Sequence, residues 1–423
     1  MIWRIAYTLA LYAALPLILL KLWWRGRREP GYRRQVRERF GEYKSVPERP
    51  VIWLHAVSVG EARGAEPLVR ALQTEFADHA VLVTCMTAAG RETVKQVYGE
   101  SVLLAWLPYD FPRAVQRFLE HYRPRLGLLM ETEIWPNLLA ACRDYAVPVV
   151  LANARLSETS ARGYARWPGL SQPAFAGLAA VCAQSESDAA RLAAQGASRV
   201  VITGNLKFDL APDAARAAEG IAWRRALGRP VLLLASTREG EERLLLEALR
   251  GAVGAVGETL VLVVPRHPQR FDEVARLLRA ETQGLGRRSH GETPAAGERL
   301  YLGDTLGEMA FYFAAADVAV IGGSFAPLGG QNLIEGCAAG TPVVLGPSMY
   351  NFADATRLAL ESGAALQCAN AAAAVRAALA LCADPPRCQR MGEAGKRLCA
   401  AHRGATGRHL EVCRRVLRAP ARD

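Results

Sequence analysis

From Val51 onward the chain alternates short apolar runs with amphipathic stretches, and this rhythm limits the possible folds more than any other feature. Residues 51–55, 81–84, 102–106, 126–130, 147–152, 180–183 and 200–203 read as strands. Between them, residues 62–76, 113–121 and 188–195 carry apolar side chains at helical spacing. Strands that alternate with helices build a parallel sheet covered on both faces. The rhythm pauses over residues 209–230, which are rich in Ala and charge and punctuated by Pro212 and Pro230. It resumes with strands at 231–235, 260–264, 300–302, 318–321 and 343–345, while 284–297 reads as an exposed loop. The expected architecture is α/β, with two successive Rossmann-like domains at 26–210 and 211–423. The length of 423 residues agrees, at roughly 100–200 residues per domain.

Residues 1–25 stand apart. An apolar run from Ile5 to Leu20 is broken only by Thr8 and Pro16, and Trp3, Trp23 and Trp24 flank it. Crossing a bilayer takes roughly 20 such residues. Lys21, Arg25, Arg27, Arg28, Arg33, Arg34, Arg37 and Arg39 follow the run instead of preceding it, and no small-residue cleavage site appears, which disfavours a signal peptide. The segment reads as a membrane anchor with the remainder on the cytoplasmic side. Pro16 and Lys21 leave open whether it spans the bilayer or lies in the interface. A net charge of +11 favours an anionic partner. Nucleic acid is disfavoured, because basic and aromatic residues do not interleave. The Arg-rich end (Arg403, Arg408, Arg414, Arg415, Arg418, Arg422) reads as a solvated face. Nine cysteines without a Cys-x-x-Cys pair argue against a disulfide framework or zinc site, and for a reducing compartment.

Five segments that follow expected strands carry candidate chemistry, and ligands bind at such places in sheets of this kind. The segment from Ile321 to Gly340 runs strand, glycine-rich loop, helix, with the helix expected to begin near Gln331. Glycines admit a phosphate to backbone amides, and a helix start favours an anion. Glu335 stands where ribose hydroxyls would reach it. The loop is neither a P-loop nor a Gly-x-Gly-x-x-Gly fingerprint. Ser58-Val59-Gly60-Glu61 places a carboxylate at a helix start after His55. It reads equally as a general base and as a capping box, and the helix dipole is expected to lower its pKa. Met130-Glu131-Thr132-Glu133-Ile134-Trp135 sets paired carboxylates beside an aromatic ring, suited to sugar binding or proton transfer. Gly204-Asn205-Leu206-Lys207 and Pro265-Arg266-His267-Pro268 offer cations for a carboxylate or a phosphate. Without an Asp-x-Asp motif, no metal is expected.

In this order, the set His55-Ala56-Val57-Ser58-Val59-Gly60-Glu61, Met130–Asn137, Asn153-Ala154-Arg155-Leu156-Ser157, Gly204–Asp209, Pro265-Arg266-His267-Pro268 and Gly322–Glu335 resembles the 3-deoxy-D-manno-octulosonic acid (Kdo) transferases of bacterial lipopolysaccharide synthesis. The resemblance implies a GT-B fold, with an acceptor domain and a donor domain facing a cleft. It implies CMP-Kdo as donor, a phosphorylated lipid A precursor as acceptor, the inner membrane as location, and transfer with inversion without metal or cofactor. By the same resemblance Glu61 is the catalytic base, and Glu131 and Lys207 stabilise the transition state. Arg266, His267, Gly307, Glu308, Met309, Asn332, Leu333, Ile334 and Glu335 contact CMP. The competing readings are a GT-B glycosyltransferase with another nucleotide sugar, a sugar-nucleotide epimerase of the same fold, and a non-catalytic nucleotide-binding module.

Overall fold

Both expected strand series form, with ends moved by a residue or two. The computed structural model describes residues 2–44, 46–252, 254, 257–282 and 284–419, so Met1 and Arg422 fall outside the described residues. The chain divides into two compact units, Met1–Leu210 with Arg403–Asp423, and Ala211–His402.

In the first unit β1 (Val51–His55), β2 (Ala80–Cys85), β3 (Leu103–Trp106), β4 (Pro124–Met130), β5 (Val149–Ala154), β6 (Ala180–Ala183) and β7 (Val200–Ile202) form one sheet. Its order is β3-β2-β1-β4-β5-β6-β7 and every pairing is parallel. All five residues of β1 are buried, as a strand covered on both faces requires. Trp53 points into one core layer with Phe118 and Phe175. Leu54 points into the opposite layer with Leu68, Val69 and Val83.

Two details of the first unit differ from the sequence reading. The single helix expected over 62–76 is two, Val59–Gly64 and Glu66–Glu75, because Pro67 has no N–H to continue the first helix's ladder. The second difference is at the C-terminus. The domain expected to run to residue 423 loses Arg403–Asp423 to the first unit. Helix Ala405–Arg418 buries Val412 and Cys413 in the first unit's core. Arg414 grips Glu75 with two hydrogen bonds of 2.6 and 2.8 Å, and Arg408 Nε donates to the Thr203 carbonyl at 2.8 Å. Part of the Arg-rich end therefore docks this helix, where a solvated face was expected.

The second unit has β8 (Val231–Thr237), β9 (Leu260–Pro265), β10 (Gly286–Arg287), β11 (Leu300–Leu302), β12 (Val318–Ile321), β13 (Val343–Leu345) and β14 (Ala365–Gln367). Their order is β10-β11-β9-β8-β12-β13-β14, again all parallel. β10 lies in the stretch read as an exposed loop, and β14 was not anticipated. Both are short edge strands without an apolar run. At β10 a glycine is needed because a Cβ on Gly286 would sit 2.9 Å from the Tyr301 ring.

Helix Ile2–Arg28 is the one described helix long and apolar enough to cross a membrane. Its first third is tied to the first unit. Tyr7 donates to Asp110 Oδ2 at 3.0 Å, Asn137 Nδ2 donates to Thr8 Oγ1 at 3.0 Å, and Trp3 meets Trp167 edge-on at 5.9 Å. The other face leaves Ile5, Leu9, Leu17 and Leu20 at least half exposed.

Candidate active site

In each sheet, chain order reverses beside the first strand. These switch points, between β1 and β4 and between β8 and β12, open a crevice beyond the strands' carboxyl ends.

At the first switch point, β1 ends at His55, and Ser58 in an extended conformation caps helix Val59–Gly64. Glu61 uses both its oxygens here. Oε2 accepts the Val57 N–H at 2.9 Å and Oε1 accepts the Ser58 hydroxyl at 2.8 Å, while Ser58 Oγ accepts the Glu61 N–H at 3.4 Å. The capping box is therefore real. The expected lowering of the Glu61 pKa is not found. Burial lifts it to about 7, the Glu131 carboxylate adds to the rise, and the two donors only partly offset them. A helix of six residues has too little dipole to reverse this.

Glu131 follows β4 in a left-handed conformation, φ 58°. Its N–H still bonds the Ala152 carbonyl, so the sheet ladder runs to the point where the chain turns. Lys207 Nζ donates to Glu131 Oε1 at 3.2 Å and Arg155 Nε to Oε2 at 2.9 Å. Burial opposes ionisation of Glu131, but the two cations outweigh it and hold its pKa near 2. Lys207 sits on the 3₁₀ turn Leu206–Asp209 after β7, and its stem passes over Gly64, where a Cβ would lie 3.5 Å from Lys207 Cε. Four strand ends thus deliver Glu61, Glu131, Arg155 and Lys207 to one place. Glu133 accepts from Trp135 Nε1 at 2.9 Å, and burial with the Glu131 charge raises its pKa. His55 turns inward, away from the crevice. It is fully buried, its Nδ1 lies 3.0 Å from the Thr84 carbonyl, and burial drops its pKa to about 3.

At the second switch point, Gly322 is forced by close packing, since a Cβ would lie 2.5 Å from the Ser236 carbonyl oxygen. The loop amides are less free than a phosphate cradle needs. Buried Glu241 accepts the N–H groups of Gly323 at 2.6 Å and Phe325 at 2.9 Å, and Ser348 Oγ accepts that of Gly329 at 3.1 Å. The helix begins at Ile334, later than expected, because Asn332 Oδ1 accepts the Ile334 N–H at 3.1 Å and turns the chain first. Asn332 Nδ2 also fixes Glu335 at 2.8 Å. Leu333 and Ile334 are buried, and the Leu333 carbonyl accepts the Cys337 N–H at 3.1 Å, so both residues pack the helix start. Arg266 Nε donates to Gln331 Oε1 at 3.2 Å and joins the turn after β9 to this loop. Burial and neighbouring Arg238 and Arg266 lower the pKa of His267. Gly307 has φ 79° and open space around it. The Glu308 carboxylate is engaged elsewhere, with Arg288 at 3.1 Å and Arg216 at 3.0 Å, so its side chain is structural.

Within the first unit, Glu61, Glu131 and Lys207 come together. Within the second, Arg266 and Gln331 meet beside Asn332 and Glu335. The sequence reading assigned no role to Arg155, although it stands in a quoted motif, and it missed Glu241, whose signal was a carboxylate soon after a strand at a switch point.

A family model described as 3-Deoxy-D-manno-octulosonic-acid transferase (kdotransferase) matches residues 34–210. The chain is 49% identical over 424 residues to the 3-deoxy-D-manno-octulosonic acid transferase of Bordetella pertussis, covering 97% of this chain and 98% of that one. It is 35% identical to the Haemophilus influenzae protein of the same name, covering 98% and 99%. Among solved structures, a glycosyltransferase from Rickettsia africae aligns with a TM-score of 0.61 over 88% of this chain and 100% of that one. At 14% identity, that likeness speaks for the fold alone.

Proposed function

Because the chain belongs to the Kdo transferases, glycosyltransferases of GT-B fold, we propose that it moves Kdo from CMP-Kdo to a phosphorylated lipid A precursor with inversion, using Glu61 as base. The observation that carries this mechanism is the opposite tuning of two neighbouring carboxylates. Glu61 is lifted to about 7 and Glu131 is held near 2, a separation that divides base from electrostatic work. Ionised Glu61 takes the proton of an acceptor sugar hydroxyl. That oxygen bonds to the anomeric carbon of Kdo, and the bond from that carbon to the CMP phosphate oxygen breaks, its electron pair leaving with CMP. Glu131 stays ionised and anchors Lys207 and Arg155, which supply positive charge for an anionic donor.

On the donor side, Arg266, His267, the backbone of Gly307 to Met309, and Asn332 to Glu335 bind CMP. With the Gly323 and Phe325 amides engaged by Glu241, the phosphate relies on cations more than on loop amides. A thermal-shift comparison of CMP, UDP and GDP tests the donor. CMP should raise the melting temperature and the other two should leave it unchanged. A shift with UDP or GDP and none with CMP would favour a different nucleotide sugar.

The protein works at the cytoplasmic face of the inner membrane, with helix Ile2–Arg28 lying along the interface. Spanning the bilayer would bury Tyr7 and Thr8, whose partners Asp110 and Asn137 belong to the globular unit. The exposed Ile5, Leu9, Leu17 and Leu20 face the acyl chains instead. Arg27 and Arg28, stacked at 4.1 Å on Trp23 and Trp24, meet anionic headgroups. In spheroplasts, an Ile2→Cys variant should stay unlabelled by a membrane-impermeant thiol reagent added outside. Labelling from outside would show that the helix spans.

A further inference from the structure

The turn that carries Lys207 is held at both ends by helix Ala405–Arg418, the last described element. At one end, the Asp209 carboxylate accepts the N–H groups of Gly404 at 2.7 Å and Thr406 at 2.6 Å. At the other, the Leu206 N–H donates to Asn153 Oδ1 at 3.0 Å, and the Asn153 N–H donates to His409 Nε2 at 2.9 Å. His409 is fully buried. Its Nδ1 lies 2.7 Å from the Ala405 carbonyl, so the ring proton sits on Nδ1 and Nε2 is left as an acceptor. Burial lowers the His409 pKa to about 4, which keeps the ring neutral and this acceptor intact at working pH.

Asn153 pays for its place: its backbone is left-handed at φ 50°, and its buried Nδ2 has no hydrogen-bond partner among the described residues. A strained, incompletely satisfied residue persists only where its surroundings overdetermine it. Here those surroundings include an imidazole that lies 256 positions further along the chain.

We propose that His409 is a positioning residue for the Kdo-transfer site: it fixes Asn153, which fixes the Leu206–Asp209 turn, so that the Lys207 ammonium stays on Glu131. It touches neither substrate nor reacting atoms. This rests on the function proposed above for its purpose, but the arrangement itself is tested without turnover. When Lys207 shifts off Glu131, the carboxylate loses one of its two neutralising cations. Its own pKa then rises, and its less compensated charge pushes Glu61 up further. The charged groups facing Glu61 and Glu131 are each other, Glu133, Lys207 and Arg155.

The test is a carboxyl-carbon NMR titration of Glu131 beside a pH–rate profile, in four variants of the full chain. His409→Phe keeps the ring volume and removes the acceptor. His409→Gln offers an amide oxygen near the Nε2 position. Asp209→Asn weakens the other end of the turn. Arg414→Ala loosens the same helix away from Asn153. His409→Phe should raise the Glu131 titration by about one unit or more, move the acidic limb of the rate profile upward, and cut kcat at least tenfold with less than about threefold change in KM for donor. His409→Gln should recover most of this, and Asp209→Asn should show the same shifts in weaker form. Arg414→Ala should lower the melting temperature with the Glu131 titration unmoved. An unmoved Glu131 titration in both His409→Phe and Asp209→Asn overturns the proposal. If His409→Phe does not fold, Asp209→Asn decides alone. Wild-type protein that fails to transfer Kdo would defeat the proposed function, while the titration still decides the positioning role.

Discussion

Glu61→Gln should lower Kdo transfer by about 10³-fold while CMP still binds, within the range of about 10²–10⁴ that a positioned base contributes. Glutamine keeps the shape and an acceptor oxygen for the Val57 N–H, so the cap of helix Val59–Gly64 should survive. The substitution therefore separates the two roles that the Ser58-x-x-Glu61 spacing allows. A capping role alone predicts near-normal turnover, because glutamine still serves the cap. A base predicts lost turnover at nearly unchanged stability. The pH profile gives the same distinction by its sign. Glu61 must be ionised to act, and its pKa is raised to about 7. Turnover should then fall below pH 7, about tenfold for each unit, and level off above it. Glu61→Gln should erase this limb from the residual rate.

Lys207→Met should be the second large effect, and it should strike both rate and stability. Lys207 and Glu131 are nearly buried, with side chains 13% and 14% exposed. Removing one partner of such a pair costs about 3–5 kcal/mol when the other charge is left alone. Arg155 still holds Glu131 at 2.9 Å, so a loss of about 2–3 kcal/mol is expected. Turnover should fall by about 10²–10³-fold, the scale for losing one preorganised electrostatic contact. The double variant Lys207→Met/Glu131→Gln removes both charges. It should recover most of the melting temperature and none of the rate. Recovery of both would reduce the pair to a structural ion pair.

The parts of this account that were legible in the sequence are those with local signals. Apolar runs such as Val51–His55 and residues 231–235 declared the parallel sheets, since a strand buried on both faces needs no alternation. Glu61, Glu131 and Lys207 were readable as polar residues just past strand ends. The short edge strands Gly286–Arg287 and Ala365–Gln367 had no apolar run to announce them. The direction of the Glu61 shift was misread because a helix start was visible, whereas the burial and the Glu131 charge that outweigh it arise only on folding. The capture of the Gly323 and Phe325 amides by Glu241 joins residues more than eighty positions apart. The return of helix Ala405–Arg418 to the first unit rests on Val412, Cys413, His409 and Arg414, each of which finds its partner far back along the chain.

The central claim is tested most directly by incubating the purified full-length protein with CMP-Kdo and a lipid A precursor and reading the acceptor's mass. Wild-type protein should convert the acceptor to a product heavier by one or more Kdo residues, with CMP released in equal number and inverted configuration at the new anomeric centre. Glu61→Gln protein, still stabilised by CMP, should leave the acceptor mass unchanged over the same time. An unchanged acceptor with wild-type protein, beside an active control enzyme, would contradict the account, and so would full conversion by Glu61→Gln.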